Sequence, residues 1–340
     1  MRLGTRASAL ALAQAELVAE LLQATPEAMR GAGAGAVEIV PIVTRGDRES
    51  AAVDDTAGEL AGDGAPGEPP PGEDKSRWVA ELERALAEGE IDAAVHSAKD
   101  VPGELGEGLV LVAAPRRAAA EDVLCGVGEG VDREAGVRRG VADLDALASG
   151  ARVGTSSVRR IAQLRAARED LELVAMRGNV DTRLRKLAAG EFDAIVLARA
   201  GLQRLSRERE AGAALDPERF VPAPGQGTLA LQARAEDAPT RAALAAIGDG
   251  DALASLLAER ALARALGASC NTPLGAWASI ERGRTLTLRA WIGLPDGSSW
   301  IADQLSGERE GAEQLGESVA DRLRSAGAVE LLAQAEEMVP

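Results

Sequence analysis

The chain has 340 residues, beyond the size at which one hydrophobic core usually stops growing, so its length predicts two or three domains. Hydrophobic residues make up 46% but include only two Phe, four Trp and no Tyr, so the core must be Ala, Val, Leu and Ile, and aromatic platforms for stacking nucleic acid bases are absent. A formal charge of −16 opposes phosphate backbones and anionic membrane surfaces, which speaks against nucleic acid and membrane partners while leaving room for a cationic cleft inside an acidic shell.

A very short strand at 2–4 opens the chain. Residues 9–23 then place Leu10, Ala13, Leu17, Val18, Leu21 and Leu22 on one helical face, with Ser8 as N-cap. Gln14, Glu16 and Glu20 interrupt the apolar spacing and no cleavage-like site follows, so this is not a signal peptide. No run of about 18 apolar residues occurs anywhere, and no membrane span is expected. "VEIVPIV" at 37–43 reads as a buried strand, and the Gly-, Pro- and acid-rich segment 57–74 as a mobile loop. "SRWVAELERALAEGEI" is helical, and "DAAVHS" is a short strand leading into a loop broken by Pro102.

The octet "VHSAKDVP" at 95–102 therefore stands at a strand's C-terminal end. It holds the only histidine of the chain, and Lys99 is one of three lysines (with Lys75 and Lys186) against 35 arginines. Residues 126–150 are Gly-rich and read mostly as a surface insertion. Strand-loop-helix order recurs at "ARVGTSSVRRIAQLRAA", "LELVAMRGNVDTRLRKLAAG" and "DAIVLARAGLQRL", which predicts mostly parallel α/β sheets. After "VPAPGQG" at 221–227 the pattern changes: a helix over 252–266 ends at Gly267, and "TLTLRAWIGL", a "PDGS" turn and "SWIADQLSG" form a hairpin. A smaller α+β domain is expected to close the chain.

In open α/β sheets, ligands bind beyond the C-terminal ends of strands, where helix N-termini offer unpaired N–H groups. "GTSSVRR" puts Thr155, Ser156 and Ser157 there, before a helix carrying Arg159 and Arg160. "RGNVDTR" adds Arg177, Gly178 and Arg183, "AGLQRL" adds Arg204, and "TRAS" adds Arg6 and Ser8. Hydroxyls, helix N–H groups and guanidinium forks together make an anion site. Carboxylates suit it better than nucleotide phosphates, because neither G-x-x-x-x-G-K-[ST] nor G-x-G-x-x-G stands at these junctions. Asp100 either pairs with Lys99 or does chemistry among this positive charge, and His96 reads as a structural hydrogen-bonding residue. Two cysteines, Cys125 and Cys270, are too few for a disulfide framework. No His, Cys or Asp stands at metal-ligand spacing from Cys270, and one histidine rules out a multi-histidine site, so no metal is expected.

In chain order, "TRASALALAQA", "VTRGD", "VHSAKDVP", "VGTSSVRRIAQL", "RGNVDTRLRKL", "LARAGLQRL", "PAPGQG" and "LGASCNTPLGA" resemble the motifs of the porphobilinogen deaminase (hydroxymethylbilane synthase) family, from Thr5 into the C-terminal domain. The resemblance implies a transferase that joins four porphobilinogen molecules head to tail into hydroxymethylbilane with release of ammonia. It implies a dipyrromethane cofactor held by a thioether to Cys270, and Asp100 as the catalytic aspartate. Cofactor and substrate carboxylates would be bound by Arg6, Ser8, Lys75, Ser97, Lys99, Thr155, Ser157, Arg159, Arg160, Arg177, Gly178, Arg183 and Arg204. Loss of ammonia leaves a cationic azafulvene that a fixed carboxylate stabilises.

The implied fold is two α/β domains like those of periplasmic binding proteins around a central cleft, plus a C-terminal α+β domain. The expected boundaries are 1–115 with 222–245, 116–221, and 246–340. A cytoplasmic monomer is expected, with porphobilinogen as substrate and handover of the product to uroporphyrinogen-III synthase. Two departures from the family pattern stand out: "GEDKSRW", with Lys75 and Trp78, replaces a glycine-rich phenylalanine-bearing segment, and "GASC" replaces the usual glycines before the cysteine. A noncatalytic carboxylate binder would share the arginines but not account for Cys270, and a Cys-nucleophile hydrolase would lack a base beyond His96.

Overall fold

The computed structural model describes residues 1–31, 36–44, 76–126, 131–132, 137–138, 143–269, 271–281 and 285–338. The 57–74 loop, Lys75 and Cys270 lie outside the described residues.

The first sheet begins with β1 (Arg2–Arg6), followed by α1 (Ala9–Ala24), α2 (Pro26–Gly31), β2 (Glu38–Ile42), α3 (Ser76–Ala87), β3 (Ala93–Ser97) and β4 (Leu109–Ala113). Strands β2, β1 and β3 are parallel neighbours. Ser8 caps α1, its hydroxyl accepting from Ala11 N at 3.4 Å. Leu3, Ala15, Val18, Leu22, Ala93 and Val95 pack between sheet and helix. Strand β2 departs from the expected buried strand. It is the edge of the sheet and its residues are half-buried or exposed, which is where Pro41, lacking an N–H for a second ladder, can be tolerated.

The second sheet, in the order β5-β10-β8-β9, comes from a segment that runs β5 (Asp122–Gly126), a separate two-stranded pair β6 (Val131–Asp132) and β7 (Val137–Arg138), β8 (Arg152–Gly154), α4 (Val158–Ala167), β9 (Glu172–Val174), α5 (Val180–Ala188), β10 (Ala194–Ala198) and α6 (Arg199–Arg204). Strands β10, β8 and β9 run parallel, and β5 is antiparallel to β10. In the described part of 126–150, Leu144 and Leu147 anchor the segment, buried with Leu164 and Leu171, and Arg168 donates to the Leu144 and Leu147 carbonyls, while the other residues of 143–150 are exposed.

Strand β11 (Leu229–Arg234) then enters the first sheet between β3 and β4, antiparallel to both. The rest of the chain is α7 (Ala238–Ala245), α8 (Gly250–Ala265), the antiparallel sheet β12 (Leu274–Glu281), β13 (Thr285–Gly293) and β14 (Trp300–Glu308), then α9 (Ala312–Ser325) and α10 (Ala328–Met338). Leu262, Leu286, Leu288, Ile292, Val319 and Leu323 are fully buried between these helices and that sheet. Each α/β sheet thus carries one antiparallel strand among parallel ones, giving a mixed α/β architecture followed by a C-terminal unit of helices and an antiparallel sheet. No described helix is long and apolar enough to cross a membrane.

Candidate functional site

Strands β1 and β3 are parallel neighbours, so the segments leaving their C-terminal ends emerge side by side. Arg6 and Ser8 from the first and Ser97 and Asp100 from the second line one pocket with Gln14 and His96. Gln14 and Ser97 hold each other, the amide donating to the Ser97 hydroxyl at 2.9 Å. Lys99 and Asp100 lie in a single 3-10 turn, Ala98–Asp100, closed by Val101 N donating to Ala98 O.

Behind that turn stands the segment 222–227. Gly225 has φ +73°, and a Cβ there would lie 2.9 Å from both Ala98 C and Lys99 N, so only glycine lets the two backbones approach. Gly225 N donates to Glu259 at 2.5 Å, and Glu259 also accepts from Ala278 N at 2.7 Å and pairs with Arg117 at 2.6 Å. Arg117 in turn donates to the carbonyls of Gln226 and Ala278. Burial pushes the Glu259 carboxyl up, against the opposing pull of Arg117 and the two backbone amides. Sequence reasoning missed both partners. The available signal was Glu259 itself, which falls on the buried stripe of α8 with Ala252, Leu256 and Leu262, where an acid needs a counter-charge.

The second sheet supplies the other predicted residues. Thr155 is fully buried and accepts from Ser157 N at 3.3 Å, which opens α4. Ser156 ties this end to the chain after β9 through Met176, donating to its carbonyl and accepting from its N–H. Arg159 and Arg160 are only 4% and 8% exposed. Expected as forks for a ligand, they already grip Asp122 at 2.8 and 2.7 Å and donate to the carbonyls of Val221 and Val196. Gln226 completes the cluster, donating to Asp122 at 2.8 Å. Burial alone would raise the Asp122 carboxyl, but the two guanidiniums outweigh it and hold the group well below the usual carboxylate range.

Gly178 has φ +109°, and a Cβ would meet the Thr182 side chain at 2.7 Å. Its carbonyl accepts from Arg183 Nε at 2.8 Å. Arg177 is exposed. Arg204 donates to Gly227 O at 2.7 Å, and burial brings the Arg183 and Arg204 guanidiniums down to about 10. Arg159, Arg160 and Arg204 each keep a buried Nε–H without a hydrogen-bond partner, a set of unfilled cationic donors that fits an anionic group.

Cys125 is fully buried in β5, and burial pushes its thiol up to about 12, which makes it a poor nucleophile. Beside Cys270, Ser269 and Thr272 are tied by a 2.8 Å bond from Ser269 N to the Thr272 hydroxyl. Among the described residues, no group of three or more His, Cys, Asp or Glu could hold a metal ion.

Two family models match nearly the whole chain: porphobilinogen deaminase, dipyromethane cofactor binding domain, over residues 1–242, and porphobilinogen deaminase, C-terminal domain, over residues 253–325. Among solved structures, the VFT2 domain of BvgS from Bordetella pertussis is 17% identical, with 73% of this chain and 85% of that one covered at a TM-score of 0.37. A YaeC-family lipoprotein of Enterococcus faecalis is 11% identical, with 73% and 91% covered at 0.39. A TRAP periplasmic solute binding protein of Desulfovibrio salexigens is 12% identical, with 73% and 71% covered at 0.38. Scores of this size do not bear on function.

Proposed function

The chain belongs to the porphobilinogen deaminase family, enzymes that polymerise porphobilinogen into hydroxymethylbilane in tetrapyrrole biosynthesis, and from that premise we propose that Asp100 is the carboxylate on which the reaction turns. The observation that carries this reading is the shared pocket of Asp100, Arg6, Ser8 and Ser97. In each cycle the C–N bond of the substrate's aminomethyl group breaks and ammonia leaves, so positive charge develops on the pyrrole. A carboxylate fixed beside it stabilises that charge. Asp100 can also carry a proton to the departing amine and take one from the pyrrole α-carbon after coupling.

Every pyrrole brings an acetate and a propionate, so the growing chain is a polyanion. We assign its binding to Arg6, Ser8, Ser97 and Lys99 around the first sheet, and to Thr155, Ser157, Arg159, Arg160, Arg177, Gly178, Arg183 and Arg204 around the second. The unsatisfied Nε–H groups of Arg159, Arg160 and Arg204 support that assignment. Lys75 belongs to the same proposal on sequence grounds. The family's dipyrromethane cofactor supplies the α-carbon to which the first substrate is joined. We place its thioether at Cys270, because the only other cysteine, Cys125, is buried and strongly protonated.

We read residues 1–115 with 222–245, 116–221 and 246–340 as the three domains. A cytoplasmic monomer passing its product to uroporphyrinogen-III synthase fits a net charge of −16, which disfavours self-association. Intact mass of the purified protein tests the central claim. Wild type should carry two extra pyrrole units and sediment as a single chain, and Cys270→Ser should carry none, with almost no ammonia release from porphobilinogen. A mass addition that persisted in Cys270→Ser would overturn the attachment site.

A further inference from the structure

His96 is the chain's only histidine, is 5% exposed, and lines the pocket that holds Asp100. Its Nε2 lies 2.9 Å from the amide oxygen of Gln232 on the neighbouring strand β11. The Gln232 amide nitrogen donates to Glu83 of α3 at 2.7 Å, and Glu83 also accepts from Gly106 N. The direction of this chain is fixed by chemistry. A carboxylate can only accept, so the NH2 of Gln232 must face Glu83 and its oxygen must face the ring. His96 Nε2 therefore carries the hydrogen, and Nδ1 is left as an acceptor.

The order of the three groups has an electrostatic consequence. Had Glu83 touched the ring directly, a carboxylate–histidine pair would form and favour imidazolium. Gln232 stands between them as a neutral amide and keeps the negative charge one residue away. Among the described residues, Glu83 from α3 and Asp100 from the 3-10 turn favour protonation of the ring and Arg260 from α8 opposes it, and Arg6 lines the same pocket. Burial outweighs the two carboxylates and lowers His96 to about 4, so the ring is neutral at neutral pH.

We propose that His96 is a positioning residue for the reaction, held by the Glu83–Gln232 relay as a neutral Nε2–H tautomer so that no imidazolium competes with the cationic pyrrole for the Asp100 carboxylate. The proposal rests on the reading of Asp100 as the reaction's carboxylate. It explains why a buried strand end beside that aspartate carries a histidine hydrogen-bonded to an amide and not to an acid.

The test uses the cofactor-loaded enzyme with 15N-labelled histidine, where a single residue gives an unambiguous signal. Wild type should show the Nε2–H tautomer at neutral pH. An imidazolium or an Nδ1–H tautomer there would overturn the proposal. The exchange variant Glu83→Gln/Gln232→Glu keeps the amide–carboxylate hydrogen bond and the net charge but sets the carboxylate on Nε2. It should raise the imidazole by about one to three pH units, and the acid limb of kcat should move up by the same amount, with KM little changed. One unit below the new midpoint, kcat should fall about tenfold. A raised imidazole with an unmoved kcat profile would refute the link to catalysis. If the exchange variant does not fold, the wild-type tautomer still decides whether the relay exists. The same exchange in an Asp100→Asn background separates the two readings: its pH-dependent loss should disappear there. If Asp100→Asn alone left turnover intact, the aspartate reading would fall, whatever the NMR showed.

Discussion

Asp100→Asn keeps the shape of the side chain and removes its charge. With preformed cofactor supplied, the variant should load normally yet release ammonia about 10² to 10⁴ times more slowly, the usual worth of positioned proton transfer. Single-turnover ammonia release is the measurement, and near wild-type rates would sink the assignment. A second residue-scale prediction concerns acid. His96 is held at about 4 against 6.5 for an ordinary imidazole, so the unfolded chain binds more protons between these values. Its stabilising effect is complete above 6.5 and is lost as pH falls toward 4, on the order of 3 kcal/mol in all. Urea melts across that window should show a slope that His96→Gln lacks. Rarity drew attention to His96 and Lys99, and strand-end position to Asp100, and the structure brings His96 and Asp100 to one pocket. The partner of Arg159 and Arg160 was not. Asp122 lies 37 and 38 residues upstream, and only the pairing of β5 with β10 delivers it to α4.

At the scale of elements, the 3-10 turn carrying Asp100 owes its place to the segment that precedes β11. Thr228 O accepts from Ala98 N at 3.0 Å, and Gly225 backs onto Ala98 and Lys99. Gly225→Ala combines a left-handed φ with a 2.9 Å backbone overlap. It should cost about 1–3 kcal/mol and also displace the turn, so kcat should drop well beyond what lost stability explains. Gly150→Ala is the control, since it has a similar φ of +77° with nothing within 4 Å, and it should lose stability but keep turnover. Equal kcat in the two variants would show that Gly225 does not position the turn. Most elements followed from local signals: the Ser8 cap, the repeated strand-loop-helix order and the hairpin around "PDGS". The misreading arose where periodicity is silent about neighbours: "VEIVPIV" looks the same at an edge as inside a sheet.

For the whole molecule, one ion pair connects parts that the chain separates widely. Arg117 follows the first sheet's β4, Gln226 and Gly225 precede β11, Glu259 sits on α8, and Ala278 lies in β12. The C-terminal helix and sheet are thereby hydrogen-bonded to the backbone that supports the Asp100 turn. The carboxylate is fully buried, so its desolvation must be offset by Arg117 and the two amides. Removing one member leaves an uncompensated buried charge. Glu259→Leu should therefore destabilise by about 3–5 kcal/mol, and Arg117→Leu by a similar amount. The double variant Arg117→Leu/Glu259→Leu removes both charges and should be less destabilised than either single change, although its turnover should stay low because Gly225 N loses its acceptor. Denaturant midpoints for the four proteins give the coupling directly. Additive losses, with the double variant the least stable, would mean that the pair does not act as a unit, leaving α8 tied to the Asp100 turn through Arg260, which donates to the carbonyls of Val101, Pro102 and Gly103.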